Sequence, residues 1–487
     1  MNTVIIILIL IVLLSHICSM SFSGKPNYKP RYGSGKHHKN KGGPSAKIDR
    51  YDFKSLLGCK CDSCKGLSTK ISYEIRRLNL ILQFSYKLYK LKVNMSEYEM
   101  RNVLERLIIT MGNYSDKKVD MIFYRCTKED YPVKKALGEI LDKSKGNVDK
   151  EELHRLFDEF LSDVHAYLDD KSKDNIDAKD VLLKYNLTIK NANFMLFNNE
   201  YDQYQHLAKG GSLYVGCGKG AKQTNNVLLK YKMQSERLDK MRERGIFNGA
   251  CPGCIDYYIL CMLIRYECMM PSGQQWGFSR EMYTNLANKF GVRVECFGSP
   301  KNSQFLLLGE VKDFTARDGT TFRAYDKYYC TLFYDTDYYF GSLGSFFNFD
   351  MFKFVDKFGL DECGFMVGPP YIDDIMTKCV EKINADLAKL ESSGAKLKLR
   401  FVYNMPAWKD SASWLNAKNS KYLVYDKFLA SNKHYYINTN RVVFNHQTKK
   451  DEPDIIVSRF PSHIFLLEYP KFTDDSTFGN MTYMYEL

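Results

Sequence analysis

A stiff loop with two adjacent prolines is the part of this sequence best suited to binding chemistry. Residues 367–371 read VGPPY and follow a short apolar run at 363–367, which predicts a buried parallel strand. The prolines have fixed φ angles and cannot extend the strand, so they form a rigid loop at its carboxyl end. Open α/β sheets bind ligands at that edge. Taken alone, the loop is more typical of an ordinary turn between a strand and a helix than of a ligand site.

The elements around the loop predict how its residues are held. Apolar side chains recur at helical spacing over residues 372–390, so we expect a helix directly after the loop. Residues 292–300 (VRVECFGSP) have the pattern of a strand that ends at an acid, and 400–410 (RFVYNMPAWKD) that of a strand ending at a Pro-Ala-Trp loop. Residues 334–344 (YDTDYYFGSLG) form an acidic, aromatic loop. Together these segments predict an α/β domain.

Four of these segments, in this order, resemble the catalytic domain of the phosphorylated CTD-interacting factor family, the cap-specific adenosine N6-methyltransferases. The family pattern reads ECFASPLN, DTDGYFGS, NPPF and IPEWRE; here the segments read ECFGSPKN at 295–302, DTDYYFGS at 335–342, GPPY at 368–371 and MPAWKD at 405–410. The match covers roughly residues 256–468, with 306–327 as an insertion, and is expected without the WW module of animal members. It implies a Rossmann-like S-adenosylmethionine-dependent methyltransferase domain preceded by a mostly helical domain.

For the loop itself, the resemblance implies methyl transfer to the exocyclic amine of adenosine next to an RNA cap. That amine is a weak nucleophile, because its lone pair is delocalised into the ring, and its site must accept hydrogen bonds from both N–H groups. Pro369 offers a carbonyl, Pro370 stiffens the loop, and Tyr371 can stack on the base. Gly368 stands where the family has Asn and offers no second acceptor, which is expected to cost about 3 kcal/mol and to impair the enzyme. A water or a displaced Asn404 is the alternative acceptor.

The resemblance also implies a site for the methyl donor, S-adenosylmethionine. Glu295 ends a predicted strand, where an acid would accept hydrogen bonds from ribose hydroxyls. The other residues implied for the donor lie in the turn beside it and in the next matching loop: Ser299, Pro300, Asn302, Asp335 and Asp337. For each acid the competing interpretation is a solvated loop carboxylate. The Gly-rich residues 212–220 (SLYVGCGKG) are a weaker alternative donor loop, because a lone Gly-rich turn is not specific.

Three further residues would serve the base and the cap of a capped RNA: Asp373, Trp408 and Lys409. An aromatic side chain beside a cation suits a positively charged methylguanine, through stacking and cation–π contact. Trp408 as ordinary packing is an equally good interpretation.

Length and charge set the domain organisation. The chain has 487 residues, 45% of them hydrophobic, and a net charge of +13; without the seven basic side chains of residues 24–48 it is +13 − 7 = +6, a modest excess that suits a nucleic-acid binder. Residues 24–48 carry seven basic side chains and no acid. We therefore expect a signal peptide at 1–23, a disordered basic linker at 24–50, a helical domain at 51–225, a methyltransferase-like domain at 226–470 and a tail at 471–487.

The signal peptide rests on an eleven-residue apolar run at 4–14 (VIIILILIVLL), which is too short for a comfortable membrane span. No basic residue precedes it. Entry into the secretory pathway conflicts with the nuclear location that a role on capped RNA implies. The alternative function is a secreted, non-catalytic protein that keeps the methyltransferase fold and binds nucleic acid or a protein partner.

Residues 50–245 are predicted to be mostly helical. Apolar side chains recur at helical spacing over 72–91, and 147–168 begins with a polar cluster typical of a helix start. Residues 226–244 are predicted as a basic helix, whose lysines and arginines are more typical of a solvated face than of a phosphate contact.

Five of the fourteen cysteines form two close groups: Cys59, Cys61 and Cys64 (CKCDSC), with Cys251 and Cys254 (CPGC). Two such pairs can hold one zinc ion, but a separation near 190 residues argues against it, and no metal site is predicted. In an oxidising compartment they are better disulfide partners. Five others lie in apolar elements and are expected to be buried thiols: Cys261, Cys268, Cys296, Cys330 and Cys363.

If residues 1–23 are a signal peptide, the mature protein in its native host begins between about residue 19 and residue 25. Mass spectrometry of the native protein measures this terminus directly. A cytosolic or nuclear protein that retains residues 1–14 would exclude the signal peptide and favour a role on capped RNA.

Overall fold

A computed structural model describes residues 49–51, 53–91, 95–113, 119–198, 227–269 and 276–472. The predicted signal peptide, nearly all of the basic linker, the Gly-rich residues 212–220 and most of the tail lie outside these ranges. The predicted domain boundary near residue 225 also lies outside them. No helix within the described ranges is long and apolar enough to cross a membrane.

The first part of the described chain consists of helices packed around an apolar core. The helices predicted over 72–91 and 147–168 are both present, and the first is longer than expected. Asp149 caps the second by accepting hydrogen bonds from two backbone N–H groups of its first turn. The helices are α1 (Phe53–Leu57), α2 (Asp62–Lys90), α3 (Glu97–Asn113), α4 (Tyr131–Ser144), α5 (Lys150–Ser172) and α6 (Ala178–Leu182).

A four-stranded antiparallel sheet accompanies these helices, and the sequence prediction missed it. Its strands follow the order β1 (Asp49–Tyr51), β2 (Tyr185–Lys190), β3 (Asn193–Asn198) and β4 (Val227–Lys232). Asn191 and Ala192 join β2 to β3 with positive φ angles, as a two-residue hairpin turn requires. The prediction of one basic helix over 226–244 is therefore wrong at its start. Residues up to Lys232 extend this sheet, and the helix α7 (Ser235–Phe247) follows.

The second part alternates helices and strands. They are α8 (Ile255–Glu267), β5 (Trp276–Gly277), α9 (Arg280–Phe290), β6 (Val292–Glu295), α10 (Gln304–Leu308), β7 (Val311–Thr315), β8 (Thr321–Tyr325), β9 (Tyr328–Tyr329), α11 (Tyr334–Asp337), α12 (Met351–Lys357), β10 (Glu362–Val367), α13 (Asp373–Ser393), β11 (Lys398–Pro406), α14 (Ala412–Lys418), β12 (Leu423–Leu429), β13 (Tyr435–Asn445), β14 (Lys450–Val457) and β15 (Ser462–Tyr469). The expected strand at 363–367 is β10, and the expected helix after it is α13. The insertion at 306–327 contains the β7–β8 hairpin.

Six strands form one mixed sheet in the order β12-β15-β11-β10-β6-β9. β11, β10, β6 and β9 are parallel, and β15 runs antiparallel to both of its neighbours. Helix α13 covers one face, where its apolar side chains meet those of Phe365 and Val367. Helix α9 covers the other, against Met366 and Val402. Helices on both faces of a largely parallel sheet are compatible with the expected Rossmann-like α/β fold.

A network of buried charges holds the two parts of the chain together. Arg265 of α8 donates hydrogen bonds to Glu74 of α2 through Nε and Nη2, and it also binds Asp335. Arg77, one turn after Glu74, binds both Glu74 and Asp120. All but Asp335 are at most 2% exposed. Burial alone would raise the pKa of Glu74, but Arg265 and Arg77 lower it below its ordinary value, so the carboxylate stays charged.

Replacing Glu74 therefore leaves two buried guanidinium groups without their shared partner. We expect Glu74→Gln to lower the free energy of unfolding by about 3 kcal/mol or more. Urea unfolding followed by circular dichroism measures this. The matched control is Glu159→Gln, which breaks exposed ion pairs with Lys87 and Arg155 and is expected to leave the midpoint nearly unchanged. Equal midpoints for both variants would contradict a stabilising role for the network.

Candidate active site

The candidate site lies where the parallel strands β6 and β10 end side by side. From β6 the chain runs to β9 on one side, and it then crosses to β10 on the other side. This reversal is the topological switch point of the sheet, where open α/β sheets bind ligands. Glu295 is in register with Met366, and Cys296 N donates to Met366 O at 2.7 Å. The acid at the end of β6 is thus adjacent to the loop that follows β10.

Glu295 is a buried acid with one carboxylate oxygen to spare. Its side chain is 5% exposed, and Tyr283 Oη donates to Oε1. Oε2 makes no well-formed hydrogen bond with any described residue. Burial raises the pKa of Glu295, while Ser303, Tyr283 and Arg237 oppose the rise. Ser303 and the backbone N–H of Gln304 lie close enough to lower the pKa of Glu295, but neither makes a well-formed hydrogen bond to Oε2, so this buried atom can still accept one from a ligand hydroxyl.

The turn after β6 is locked by its own hydrogen bonds. Ser299 N and Oγ both donate to Asn302 Oδ1, at 2.7 and 3.0 Å, and Asn302 N donates back to Ser299 Oγ at 3.2 Å. Arg237 of α7 donates to the carbonyls of Pro300 and Ser303, at 3.2 and 2.8 Å. These contacts give Ser299, Pro300 and Asn302 the role of shaping the turn beside Glu295.

A buried lysine in this turn was not predicted. Lys301 stands where the family pattern has Leu and is 2% exposed. Its Nζ lies 4.5 Å from the centre of the Tyr231 ring and 5.8 Å from that of Tyr266. Burial lowers the pKa of Lys301 to about 8, with Glu267 opposing. The sequence did contain a signal for this buried cation, because a lysine stands at a position where the family pattern has an apolar residue.

The two aspartates of the next motif have different surroundings. Asp335 accepts two hydrogen bonds from Arg265, both at 3.0 Å, and pairs with Lys70 at 2.9 Å, so its carboxylate belongs to the buried network. Asp337 is fully buried and accepts hydrogen bonds from Tyr266 Oη at 2.6 Å and Thr336 Oγ1 at 2.9 Å. Burial raises the pKa of Asp337 to about 7, although both hydrogen bonds act to lower it.

The loop of Gly368, Pro369 and Pro370 continues directly from β10. A Cβ added to Gly368 would meet no atom within 4 Å, and its φ is not positive. The backbone therefore does not require glycine at this position. Ile372 N donates to Pro370 O at 2.8 Å, whereas no described backbone group donates to Pro369 O. The carbonyl of Pro369 is thus an available acceptor.

Tyr371 is fixed by a buried polar cluster behind the loop. Asn404 Nδ2 donates to Tyr371 Oη at 3.2 Å, and the Tyr371 and Tyr436 hydroxyls are 3.0 Å apart. Tyr436 Oη lies 3.0 Å from Ser462 Oγ, which lies 2.9 Å from His434 Nε2. Asn404 is 3% exposed, and its Oδ1 has no hydrogen-bond partner among the described residues. The cluster thus holds a second unpaired acceptor.

The three residues implied for the substrate follow the neighbouring strand ends. Asp373, in the first turn of α13, accepts a hydrogen bond from Ser413 Oγ at 2.6 Å and so links α13 to α14. Trp408, two residues after β11, is 46% exposed. Lys409 Nζ lies 5.6 Å from the centre of the Phe428 ring, and Phe428 is 47% exposed. Trp408, Lys409 and Phe428 give this edge aromatic side chains and a cation that solvent can reach.

The basic helix α7 does not present a wholly solvated face, which corrects the sequence prediction. Arg237 and Arg244 are seven residues apart, on the face that also buries Leu238 and Met241. Arg244 is 0% exposed and donates to Phe305 O at 2.6 Å and Lys327 O at 3.2 Å. The sequence could have indicated their burial, because a spacing of seven residues places both arginines on the apolar face of the helix. Their guanidinium groups serve backbone carbonyls instead of phosphates.

Comparison with known proteins supports the motif match. The family model described as "Phosphorylated CTD interacting factor 1 WW domain" matches residues 253–439, which run from the turn before α8 into β13 of the α/β part. The mouse and human proteins named mRNA (2'-O-methyladenosine-N(6)-)-methyltransferase are each 26% identical to this chain over 222 residues.

The aligned region is 44% of this chain and 26% of each relative, so the chain spans about a quarter of their length. The region matched by the family model, residues 253–439, contains the sheet edge described above. The resemblance of the α/β part of this chain to the phosphorylated CTD-interacting factor family is therefore confirmed.

Proposed function

We propose that this chain is an S-adenosylmethionine-dependent methyltransferase that acts on N6 of adenosine next to an RNA cap. The observation that carries the proposal is the pairing of β6 with β10, which brings the spare carboxylate oxygen of Glu295 beside the Gly368 loop. The names of the mouse and human relatives support the same reaction class.

The donor side of the site fits S-adenosylmethionine through Glu295. A ribose hydroxyl would donate to Oε2, a buried atom without a well-formed hydrogen bond from any described residue, as happens at strand-end acids in nucleotide-binding α/β folds. The turn of Ser299, Pro300 and Asn302 would support the ligand by shape, and Asp337 supplies a second buried acid. Bound, the donor supplies a methyl group on a positively charged sulfonium. Asp335 has its carboxylate occupied by Arg265 and is the weakest of the proposed donor residues.

The acceptor side needs two hydrogen-bond acceptors for the adenine amine. Pro369 O is one of them. Val367 is in register with Tyr403 of β11, so the next residues along, Gly368 and Asn404, are neighbours at the ends of adjacent strands. Side chains alternate along strands, and Asn404 lies on the same face as Val402. Its unpaired Oδ1 is therefore suited to take over from the missing Asn at 368.

We expect Asn404 to replace the missing acceptor at 368 only in part. Asn404 lies within a buried strand, and its amide is already oriented by the Tyr371 hydroxyl, so Oδ1 cannot follow the amine as it pyramidalises. An acceptor that does not reach the ideal position loses part of the roughly 3 kcal/mol that one positioned hydrogen bond contributes. The proposed enzyme is thus impaired relative to one with Asn at 368. The exposed Trp408 and the neighbouring Lys409 would receive the cap.

A non-catalytic protein with the same fold is the second candidate, and the glycine at 368 favours it. Titration calorimetry with S-adenosylmethionine distinguishes an intact donor site from an emptied one, and absence of donor binding would favour the non-catalytic protein. A donor-binding protein that transfers no methyl group to any capped RNA would support a binding function.

The donor site generates the first of two mutational predictions. Glu295→Ala should weaken S-adenosylmethionine binding by about 1–3 kcal/mol, because ribose hydroxyls lose their acceptor. Calorimetry on the purified chain measures the change, with Glu281→Ala as the control, since Glu281 is an exposed acid of α9. Unchanged affinity in folded Glu295→Ala would remove Glu295 from the donor site.

The second prediction concerns positions 368 and 404, the two places from which a side chain could accept a hydrogen bond from the adenine amine. Asn404→Ala should lower methyl transfer to N6 with little change in donor affinity, while Gly368→Asn should raise it by up to about 100-fold. The open space around Gly368 and its ordinary φ make the added side chain acceptable. In the Gly368→Asn background, Asn404→Ala should cost much less, because the loop then supplies its own acceptor.

Initial rates on capped RNA, measured for the wild type, the two single variants and the double variant, give this coupling. Asn416→Ala is the control, since Asn416 is an exposed residue of α14. Equal losses from Asn404→Ala in both backgrounds would show that Asn404 only supports Tyr371. A wild type as fast as Gly368→Asn would refute the impairment.

A further inference from the structure

Four cysteines from distant parts of the chain converge at the starts of two helices. Cys59 and Cys64 lie before and in the first turn of α2, while Cys251 and Cys254 flank the short turn that leads into α8. The Sγ atoms of these four residues all lie within 4.8 Å of one another. Cys64 and Cys254 are buried, and Cys59 and Cys251 are half-buried.

These cysteines do not form the disulfides that the sequence favoured. All four are free thiols, and the closest pair, Cys64 and Cys254, has its Sγ atoms 2.8 Å apart, against about 2.0 Å in a disulfide. The argument against a metal was the separation of 190 residues. That argument fails because α2 and α8 pack side by side, which brings the two groups together.

We propose that Cys59, Cys64, Cys251 and Cys254 bind one structural zinc ion. A tetrahedral site with Zn–S bonds of about 2.3 Å has sulfurs about 3.8 Å apart, so a group already within 4.8 Å needs only small side-chain shifts. The set contains only sulfur, which zinc accepts and which magnesium and calcium do not. Four protein ligands leave no open position, as in sites that support a fold and do not take part in a reaction.

The surroundings suit the negative charge of four thiolates. Cys64 lies in the first turn of the 29-residue helix α2, and Cys254 is the N-cap residue of α8. Helix N-termini carry partial positive charge, which would stabilise metal-bound thiolates here, whereas without a metal burial raises the pKa of both the Cys64 and the Cys254 thiol. Cys61 Sγ lies 3.3 Å from Cys59 Sγ but outside the group of four.

The zinc site would act as a clip between the helical part and the α/β part of the chain. Cys64 and Glu74 are ten residues apart on α2, and Cys254 and Arg265 are eleven apart along the segment that contains α8. The cysteine cluster and the Glu74–Arg265 ion pair therefore connect α2 and α8 at two positions along their length. Together they fix the register of one helix against the other.

Metal analysis of the full chain, purified under reducing conditions, tests the proposal. We expect about one zinc per chain, and about four fewer thiols open to alkylation before chelation than after it. Replacement of zinc by cobalt(II) should give the strong visible absorption of a tetrahedral tetrathiolate site. Chelation should lower the temperature of unfolding.

Variants locate the ion. Cys64→Ser and Cys254→Ser should reduce the zinc content to below about 0.1 per chain, whereas Cys261→Ser, a buried residue of α8 outside the cluster, should retain it. If a variant fails to fold, the thiol count and the cobalt spectrum of the wild type still decide. Zinc-free folded protein after exposure to zinc, or peptide mapping that finds Cys64 linked to Cys254, would overturn the proposal.

Discussion

The parallel pairing of β6 with β10 is the constraint on which the candidate site depends. It aligns the end of one strand with the end of the other, so an acid and a proline-rich loop that are more than seventy residues apart become neighbours. Gly364 makes the pairing possible, because a Cβ there would lie 2.6 Å from Phe290 O and 2.9 Å from Val292 Cγ2. A bulkier residue would push β10 away from β6 and separate Glu295 from the Gly368 loop. Residues outside the site thus determine its geometry.

Buried arginines join the helical part to the sheet and its loops. Arg265 meets carboxylates on α2 and α11, while Arg237 and Arg244 of α7 donate to the carbonyls of turns around β6 and β9. Gly341, with φ +97°, belongs to the same arrangement, since a Cβ would approach Arg244 Nη1 to 2.6 Å. A guanidinium group carries five N–H donors in a fixed plane, so one side chain can satisfy several carbonyls of an irregular loop. The price is a set of buried charges that tolerate little change.

Local patterns in the sequence predicted the elements nearest the site, and long-range contacts explain what they missed. The strand β10 and the helix α13 were recognised because apolar runs and helical spacing depend on neighbouring residues alone. The strand β4 was taken for a helix because its partner β3 lies across residues 199–226 of the chain. Position 295 was expected from its motif, but the spare oxygen of Glu295 depends on Tyr283 and the turn. The cysteine cluster was set aside for its sequence separation, which packing of α2 on α8 removes.

Whether a residue lies on a loop or inside a strand also determines how well it can accept a hydrogen bond from the adenine amine. An Asn at 368 would sit on a loop, with freedom to turn its amide toward the base, whereas Asn404 is held inside β11 by its neighbours and by Tyr371. Gly368 leaves open the space that a loop side chain would fill, and Asn404, at the end of the neighbouring strand, has a side-chain oxygen with no partner among the described residues. A rigid acceptor is well organised only if it already points where charge develops. The proposed activity would therefore depend on the orientation of one strand amide, which the Tyr371 and Tyr436 hydroxyls set.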